Sequence, residues 1–134
     1  VIIVDASVLV NALTSTEDAG RAARERLGPE ELAAPSLVDW EVASVLLSLS
    51  KGTRGGKPKL APGERDRVME SYRRLTIVRN GLHHLWPRMR GLSANLSGYD
   101  AAYVALAEDL GVPLITADER VKRGAQTSAD IEVI

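Results

Sequence analysis

The sequence predicts an α/β sandwich with a mostly parallel central sheet, formed as one domain over all 134 residues. Three observations carry this expectation. Short apolar runs suited to buried strands alternate with stretches of helical periodicity along the chain. Gly and Pro fall at the joints between them. No internal repeat and no linker long enough to divide two domains is visible.

The elements follow in order. Residues 1–4 (VIIV) form an apolar run that fits a buried strand. Residues 6–13 read as a helix, with Leu9 and Leu13 four apart. Thr14, Ser15 and Thr16 followed by Glu17 and Asp18 signal a second helix, which ends near Gly28 and Pro29. Leu32, Ala33 and Ala34 make a weak strand closed by Pro35. Residues 36–50 are the clearest helix, with Ser36 and Asp39 as a capping pair and Val38, Val42, Val45, Leu46 and Leu49 as its apolar stripe. Residues 51–62 (KGTRGGKPKLAP) read as an exposed, flexible loop. A polar helix over 62–75 leads to a strand at 76–78. Residues 82–96 are helical with interruptions near Pro87 and Gly91, and a strong helix over 99–110 is ended by Gly111. Residues 113–116 form a buried strand, 119–122 a short helical turn and 131–134 a last strand.

Composition narrows the chemistry. Hydrophobic residues make up 45% and charged residues 26%, the balance of a globular domain with its own core. Aromatics are only 4% with no Phe, so Val, Leu, Ile and Ala must build that core, and Trp40, Trp86 and Tyr103 are expected to be buried somewhere. There is no Cys, which excludes disulfides, thiolate metal sites and a Cys nucleophile. A reducing cytoplasm is the expected compartment. No apolar run approaches the roughly 20 residues of a membrane-spanning helix. The opening residues carry no basic leader or cleavage site, so a signal peptide is not expected, and the missing initiator Met is read as trimming. Net charge is −1, but its distribution is uneven. Residues 51–90 hold 11 Lys and Arg against 3 Asp and Glu, a local +8, and the remainder carries −9. Such asymmetry suits a basic approach surface beside an acidic site, and equally a solvated helix and loop.

Four carboxylates stand at informative places. Asp5 follows the first strand and Asp118 the strand ending at Thr116, and open parallel sheets keep ligands at the carboxyl ends of their strands. Glu41 shares a helix face with Val38 and Val45, where a lone carboxylate is costly unless paired or bound to a cation. Asp100 opens a helix whose next turn holds Tyr103 and Val104. Singly, each has a plain alternative. Asp5 and Asp100 would serve as helix caps, Asp118 as a turn residue and Glu41 as the partner of a buried Arg. Jointly, four acids converging on one sheet edge repel one another, and a divalent cation relieves that repulsion. An all-oxygen ligand set suits Mg²⁺ or Mn²⁺ rather than Zn²⁺, and such a site activates water against a phosphate. His83 and His84 are adjacent and read as surface residues, and no Gly-rich phosphate loop follows any strand.

These segments resemble a known family. VIIVDASVLVNAL with Asp5, PSLVDWEVASVL with Glu41, and SGYDAAYVALAEDLGVPLITADERV with Asp100 and Asp118 are similar, in order and spacing, to the acidic motifs of PIN domains. Together they cover roughly half the chain, and the last is the most specific. The closest resemblance is to the VapC toxins of bacterial toxin–antitoxin pairs. It implies a three-layer α/β/α PIN-like fold and Mg²⁺- or Mn²⁺-dependent endoribonuclease activity. It also implies an RNA substrate cut in single-stranded loops, a homodimer, and a VapB-like antitoxin whose tail enters the acidic groove. On this resemblance Asp5, Glu41, Asp100 and Asp118 are the catalytic and metal-binding acids. Ser7 and Thr116 match its polar helpers, and Asn11 matches a common Asn of the first helix.

Two other functions compete. A phosphoryl-transfer or receiver-type domain would use Asp5 as nucleophile and needs a late Lys after a strand, for which Lys122 is the only candidate. A non-catalytic nucleic-acid- or protein-binding domain needs none of the acids. If RNA is the substrate, Lys51, Arg54, Lys57, Lys59, Arg88 and Arg90 are the expected contacts to its backbone.

Overall fold

Ile2, Ile3 and Val4 form β1 (Ile2–Val4), and all three are buried. A strand with no exposed side chain belongs inside a sheet covered on both faces. The computed structural model, which describes residues 1–52 and 56–134, places it there. β1 pairs in parallel with β2 (Leu32–Pro35) on one side and β4 (Leu114–Thr116) on the other, with Ile3 opposite both Ala33 and Leu114. β3 (Ile77–Asn80) joins beyond β2 and β5 (Ile131–Val133) beyond β4, giving the order β3-β2-β1-β4-β5 with every pairing parallel.

Parallel pairing requires crossovers, and the helices supply them. α1 (Ala6–Thr14) and α2 (Asp18–Leu27) lead to β2, and α3 (Val38–Lys51) and α4 (Pro62–Arg73) lead to β3. A 3-10 turn (His83–Leu85), α5 (Trp86–Leu92) and α6 (Gly98–Leu110) lead to β4, and α7 (Glu119–Gly124) to β5. The first four helices pack among themselves, α5 packs on α6, and α6 lies across β1, β2 and β4. The result is the three-layer α/β/α arrangement the resemblance implied.

α6 is the helix that fixes the core. Residues 101–107 are all buried, so this helix has no solvent face over two turns. Four of those seven are Ala, which lets the helix backbone sit close to the sheet. Ser97 caps its start by accepting from the Asp100 N–H at 3.1 Å, and Gly111 ends it at φ 65°, where a Cβ would be strained. Ile2, Ile3, Val8, Leu9, Val42, Leu46, Val104, Leu106, Leu114 and Ile115 complete the core, each at most 2% exposed. Each such aliphatic contributes about 1.5–3 kcal/mol by burial.

Four expectations differ from the structure. Ser36 and Asp39 do not cap α3, whose N-cap is Leu37 with no side-chain bond. Pairing of β2 with β3 brings better partners alongside: Ser36 donates to the Asn80 carbonyl at 3.1 Å, and Asp39 takes the Arg79 guanidinium at 2.8 Å and the Tyr72 hydroxyl at 2.6 Å. Val45 lies at the rim of the apolar stripe rather than in it, 37% exposed. Pro87 falls in the first turn of α5, where its missing N–H costs nothing, so it starts a helix, and Gly91 stays helical within it. Finally, Tyr103 is buried, but Trp40 and Trp86 are 80% and 54% exposed.

Candidate active site at the β1–β4 edge

Chain order along the sheet reverses at β1, which lies between β2 and β4, and the carboxyl ends of β1 and β4 are neighbours there. Asp5 leaves β1 at this point, with its backbone N–H held by the Ile115 carbonyl at 3.1 Å. This is the position at which open parallel sheets build ligand sites.

Asp5 is tightly held. Oδ1 accepts from the Ser7 N–H at 2.9 Å, the Val8 N–H at 3.2 Å and the Ser7 hydroxyl. Oδ2 accepts from the Thr116 hydroxyl. Each hydroxyl is held in turn from the β4 side: Ser7 Oγ accepts from the Ala117 N–H, and Thr116 Oγ1 from the Asp118 N–H, both at 3.1 Å. Thr116 is fully buried. Two hydroxyls thus carry the backbone's polarity onto one carboxylate and lock its rotamer. Burial still dominates and pushes the Asp5 carboxyl above its usual range, with the bonds from Ser7 and Thr116 opposing. Asn11 lies one turn after Ser7 on α1, half-buried, and its carbonyl accepts from Ser15 at the helix end.

Glu41 comes from the first turn of α3 and is half-buried. Its Oε1 accepts from the Tyr103 hydroxyl at 2.7 Å, not from an Arg. Burial raises the Glu41 carboxyl first, the Tyr103 bond opposes, and the charges of Asp5 and Asp100 raise it further. Asp100, half-buried in the first turn of α6, therefore stands within the same field. Among the described residues none of Asp5, Glu41 and Asp100 has a cationic partner.

Asp118 is different. It caps α7 through the Arg120 N–H at 2.9 Å and pairs with the Arg120 guanidinium at 2.7 Å, which holds its carboxyl below the usual range. The plain cap reading is therefore realised for Asp5 and not for Asp100, because Ser97 has that role, while Asp118, read as a turn residue, caps α7. Among the described residues no three Asp, Glu or His side chains lie close enough together to hold a metal ion in this arrangement. The donor chemistry nonetheless fits Mg²⁺ or Mn²⁺: hard oxygens, partly buried, mutually repelling and unpaired at three of four positions.

The basic residues scatter. Lys51 ends α3 and is exposed, and Lys57 and Lys59 line one cavity with Ser44, Val45 and Ser48. Arg90 is exposed on α5. Arg88 is bonded to both oxygens of Glu108, at 2.6 and 2.9 Å, and to the Gln126 carbonyl, so it ties α5 to α6 and would have to leave those partners to reach a phosphate. Arg54 lies outside the described residues. Lys122 is exposed on α7, and the buried polar groups around Asp5 are hydroxyls, not a Lys. Sequence reasoning took Tyr103 for core and missed that its hydroxyl holds Glu41. Its spacing, three residues after Asp100 on the same helix, was the available signal.

A three-layer α/β fold with hydroxyl-braced acids at its strand-order reversal defines a class, and family comparison agrees. The PIN-domain model matches residues 2–126. The chain belongs to the PIN-domain family, within its VapC group. A VapC ribonuclease of Mycobacterium bovis is 38% identical over 133 residues, covering 99% of this chain and 98% of that one. Among solved structures, DNA-bound VapBC from Salmonella typhimurium superposes with a TM-score of 0.67 at 15% identity, covering 98% of this chain and 96% of that one. Mycobacterium tuberculosis VapC20, described as a toxin that cleaves the sarcin-ricin loop, superposes at 0.61 with 10% identity, covering 85% and 87%. These two likenesses speak for the fold.

Proposed function

We propose that the protein is a divalent-metal-dependent endoribonuclease, the toxin of a toxin–antitoxin pair, cutting single-stranded loops of structured RNA. The observation that carries this reading is Asp5, locked by Ser7 and Thr116 at the β1–β4 edge and facing the unpaired charges of Glu41 and Asp100. Relatives named as ribonucleases over the full chain length support the same reading.

Asp5, Glu41, Asp100 and Asp118 would hold Mg²⁺ or Mn²⁺. When bound, such a cation polarises a phosphate oxygen and acidifies a water molecule. The chain's own part is preorganisation. Ser7 and Thr116 spend their protons on Asp5, so both of its oxygens are fixed acceptors and neither hydroxyl is free to act as a nucleophile. Tyr103 fixes one oxygen of Glu41. Asp118 joins the set when it releases Arg120, an exchange that an exposed pair allows at little cost. Lys51, Lys57, Lys59 and Arg90 would offset the repulsion between an acidic site and phosphate.

A VapB-like antitoxin is the proposed partner, with a segment entering the acidic groove, in keeping with the VapBC complexes this fold superposes on. A homodimer is also proposed: Leu82 and Trp86, each at least half exposed, line an apolar cavity that a symmetric contact would cover. No helix among the described residues is long and apolar enough to cross a membrane, and a cytoplasmic site of action is part of the proposal.

Cleavage of a structured RNA with Mg²⁺ or Mn²⁺, with and without EDTA, tests the reading. Asp5→Asn should abolish cleavage and leave the melting curve in place. Cleavage at the parental rate by Asp5→Asn, or in EDTA, would remove this site from consideration.

A further inference from the structure

Two aromatic side chains stand out in water beside the acidic site. Trp40 precedes Glu41 on α3 and is 80% exposed. Tyr99 precedes Asp100 on α6 and is 66% exposed. They come from different helical layers, yet both line one cavity of about 520 Å³ together with Leu37, Glu41, Ser44 and Val45. Burying either ring would stabilise the fold, so two exposed rings on one cavity call for an occupant.

The surroundings of the cavity say what that occupant is. At one end is the Glu41 carboxylate of the candidate site. At the other, Ser44 and Val45 also line the neighbouring cavity that holds Lys57 and Lys59. The two cavities adjoin at Ser44 and Val45 of α3, so an acid, two aromatic rings and a pair of ammonium groups line neighbouring cavities beside that helix. A single-stranded polynucleotide has the matching sequence of groups: a scissile phosphate, a flat base and further phosphates.

We propose that Trp40 and Tyr99 form a stacking subsite for one unpaired nucleobase of the RNA, next to the scissile position, with the phosphates that follow running toward Lys57 and Lys59. The proposal rests on the ribonuclease reading above. Flat, exposed aromatic rings accept any base on its face, whereas duplex RNA keeps its bases stacked away from such rings. The subsite therefore selects unpaired RNA, and Trp40 and Tyr99 position the strand without touching the reacting atoms. A second copy of this chain or an antitoxin segment seated here would close the rim of Glu41, so those occupants suit an inhibited form rather than the working one.

Trp40 and Trp86 are the only tryptophans, so a Trp86→Phe background leaves Trp40 as the sole tryptophan emitter. Full-length protein in EDTA would be titrated with three probes: a short single-stranded RNA, the same RNA carrying abasic residues, and a duplex. Stacking predicts that the intact single strand quenches Trp40 emission and that abasic and duplex RNA do not. Trp40→Ala should weaken single-strand affinity roughly five- to a hundredfold, Tyr99→Ala should act in the same direction, and Trp40→Phe should restore most of the loss. Equal affinity of parent and Trp40→Ala for intact RNA, in a protein that still cleaves RNA, would overturn the subsite and leave the ribonuclease reading standing. No binding and no cleavage by the parent would overturn both. Loss of self-association in Trp40→Ala, seen by sedimentation with RNA affinity unchanged, would give the surface to a second copy instead.

Discussion

At the scale of single residues, the site sets charges against burial. Glu41 is the clearest case, because its carboxylate is half-buried, faces Asp5 and Asp100, and has a neutral phenol as its only hydrogen-bond partner among the described residues. A carboxyl raised in the folded state disfavours folding once it ionises. Its cost is present at neutral pH and vanishes as pH falls through the raised value toward the ordinary 4.5. Glu41→Gln keeps an acceptor for Tyr103 and removes the charge. In EDTA the variant should therefore melt at or above the parent at pH 7, the gap closing on acidification, while cleavage with Mg²⁺ is lost. A variant that melts clearly lower at pH 7 would show a stabilising partner for Glu41 instead. Little of this was legible in the sequence beyond the identity of the acid. A Glu on an apolar stripe announces itself, but a Tyr in an Ala-rich buried helix reads as packing. Only the fold brings Glu41 of α3 and Tyr103 of α6, from different helical layers, close enough for the two side chains to meet. Asp5 shows the converse, since it reads equally well as a cap and does cap α1, and Asp118, read as a turn residue, caps α7.

Elements are joined by a few polar ties whose partners lie far apart in sequence. Asp39, at the start of α3, binds Arg79 of β3 and Tyr72 of α4, and so fastens three elements at one corner. Arg79 holds its carboxyl below the usual range, with burial opposing and Tyr72 reinforcing. That sign is opposite to Glu41: the stability Asp39 contributes is present above 3.8 and lost as pH falls below it. Asp39→Asn should cost about 1 kcal/mol at pH 7, discounted for an exposed pair, and the difference from the parent should disappear in acid. Urea melts at pH 7 and pH 3 measure both ends, and a pH-independent difference would point to packing rather than charge. The α1–α2 pair depends on a glycine. A Cβ on Gly20 would stand 2.0 Å from the Ser15 carbonyl oxygen, a backbone atom that cannot swing aside. Gly20→Ala gains roughly 1 kcal/mol of helix propensity and meets overpacking of about 1–3 kcal/mol. A net loss is expected, seen as a melting temperature several degrees lower; an unchanged or higher value would mean that α2 slides without cost. The helix periodicity of residues 36–50 was plain from sequence, but the cap was misassigned. Residues 36–39 cannot show that Arg79 and Asn80 will lie alongside, a consequence of β2–β3 pairing across some 40 residues.

For the whole molecule, strand alternation predicted a parallel sheet and the acidic motifs predicted its family, yet the strand order was out of reach. Nothing in residues 1–4 or 113–116 says which strand is β1's other neighbour, and that pairing alone brings Thr116 to Asp5. The charge map was legible as a count and misleading as a surface. Part of the +8 over residues 51–90 is met by acids outside the stretch, Arg79 by Asp39 and Arg88 by Glu108, while Arg65 and Arg73 pair with Asp66 and Glu70, acids already netted within it. Lys57 and Lys59 remain exposed along α3, where the proposed RNA path runs, and two ammonium groups there would release counterions when phosphate replaces them. The double substitution Lys57→Ala with Lys59→Ala should weaken binding of cleavable and non-cleavable single strands about equally, since phosphates carry no sequence. It should also flatten the dependence of log affinity on log salt by about 1.4, at roughly 0.7 for each single-strand phosphate contact. Trp40→Ala acts on a different quantity, lowering affinity with the salt slope unchanged, because stacking displaces no ions. Measuring affinity at several salt concentrations for the parent, the double Lys variant and Trp40→Ala separates the two terms. An unchanged slope in the double Lys variant would make those lysines a solvated loop and leave the strand's path to be set by the aromatic pair alone.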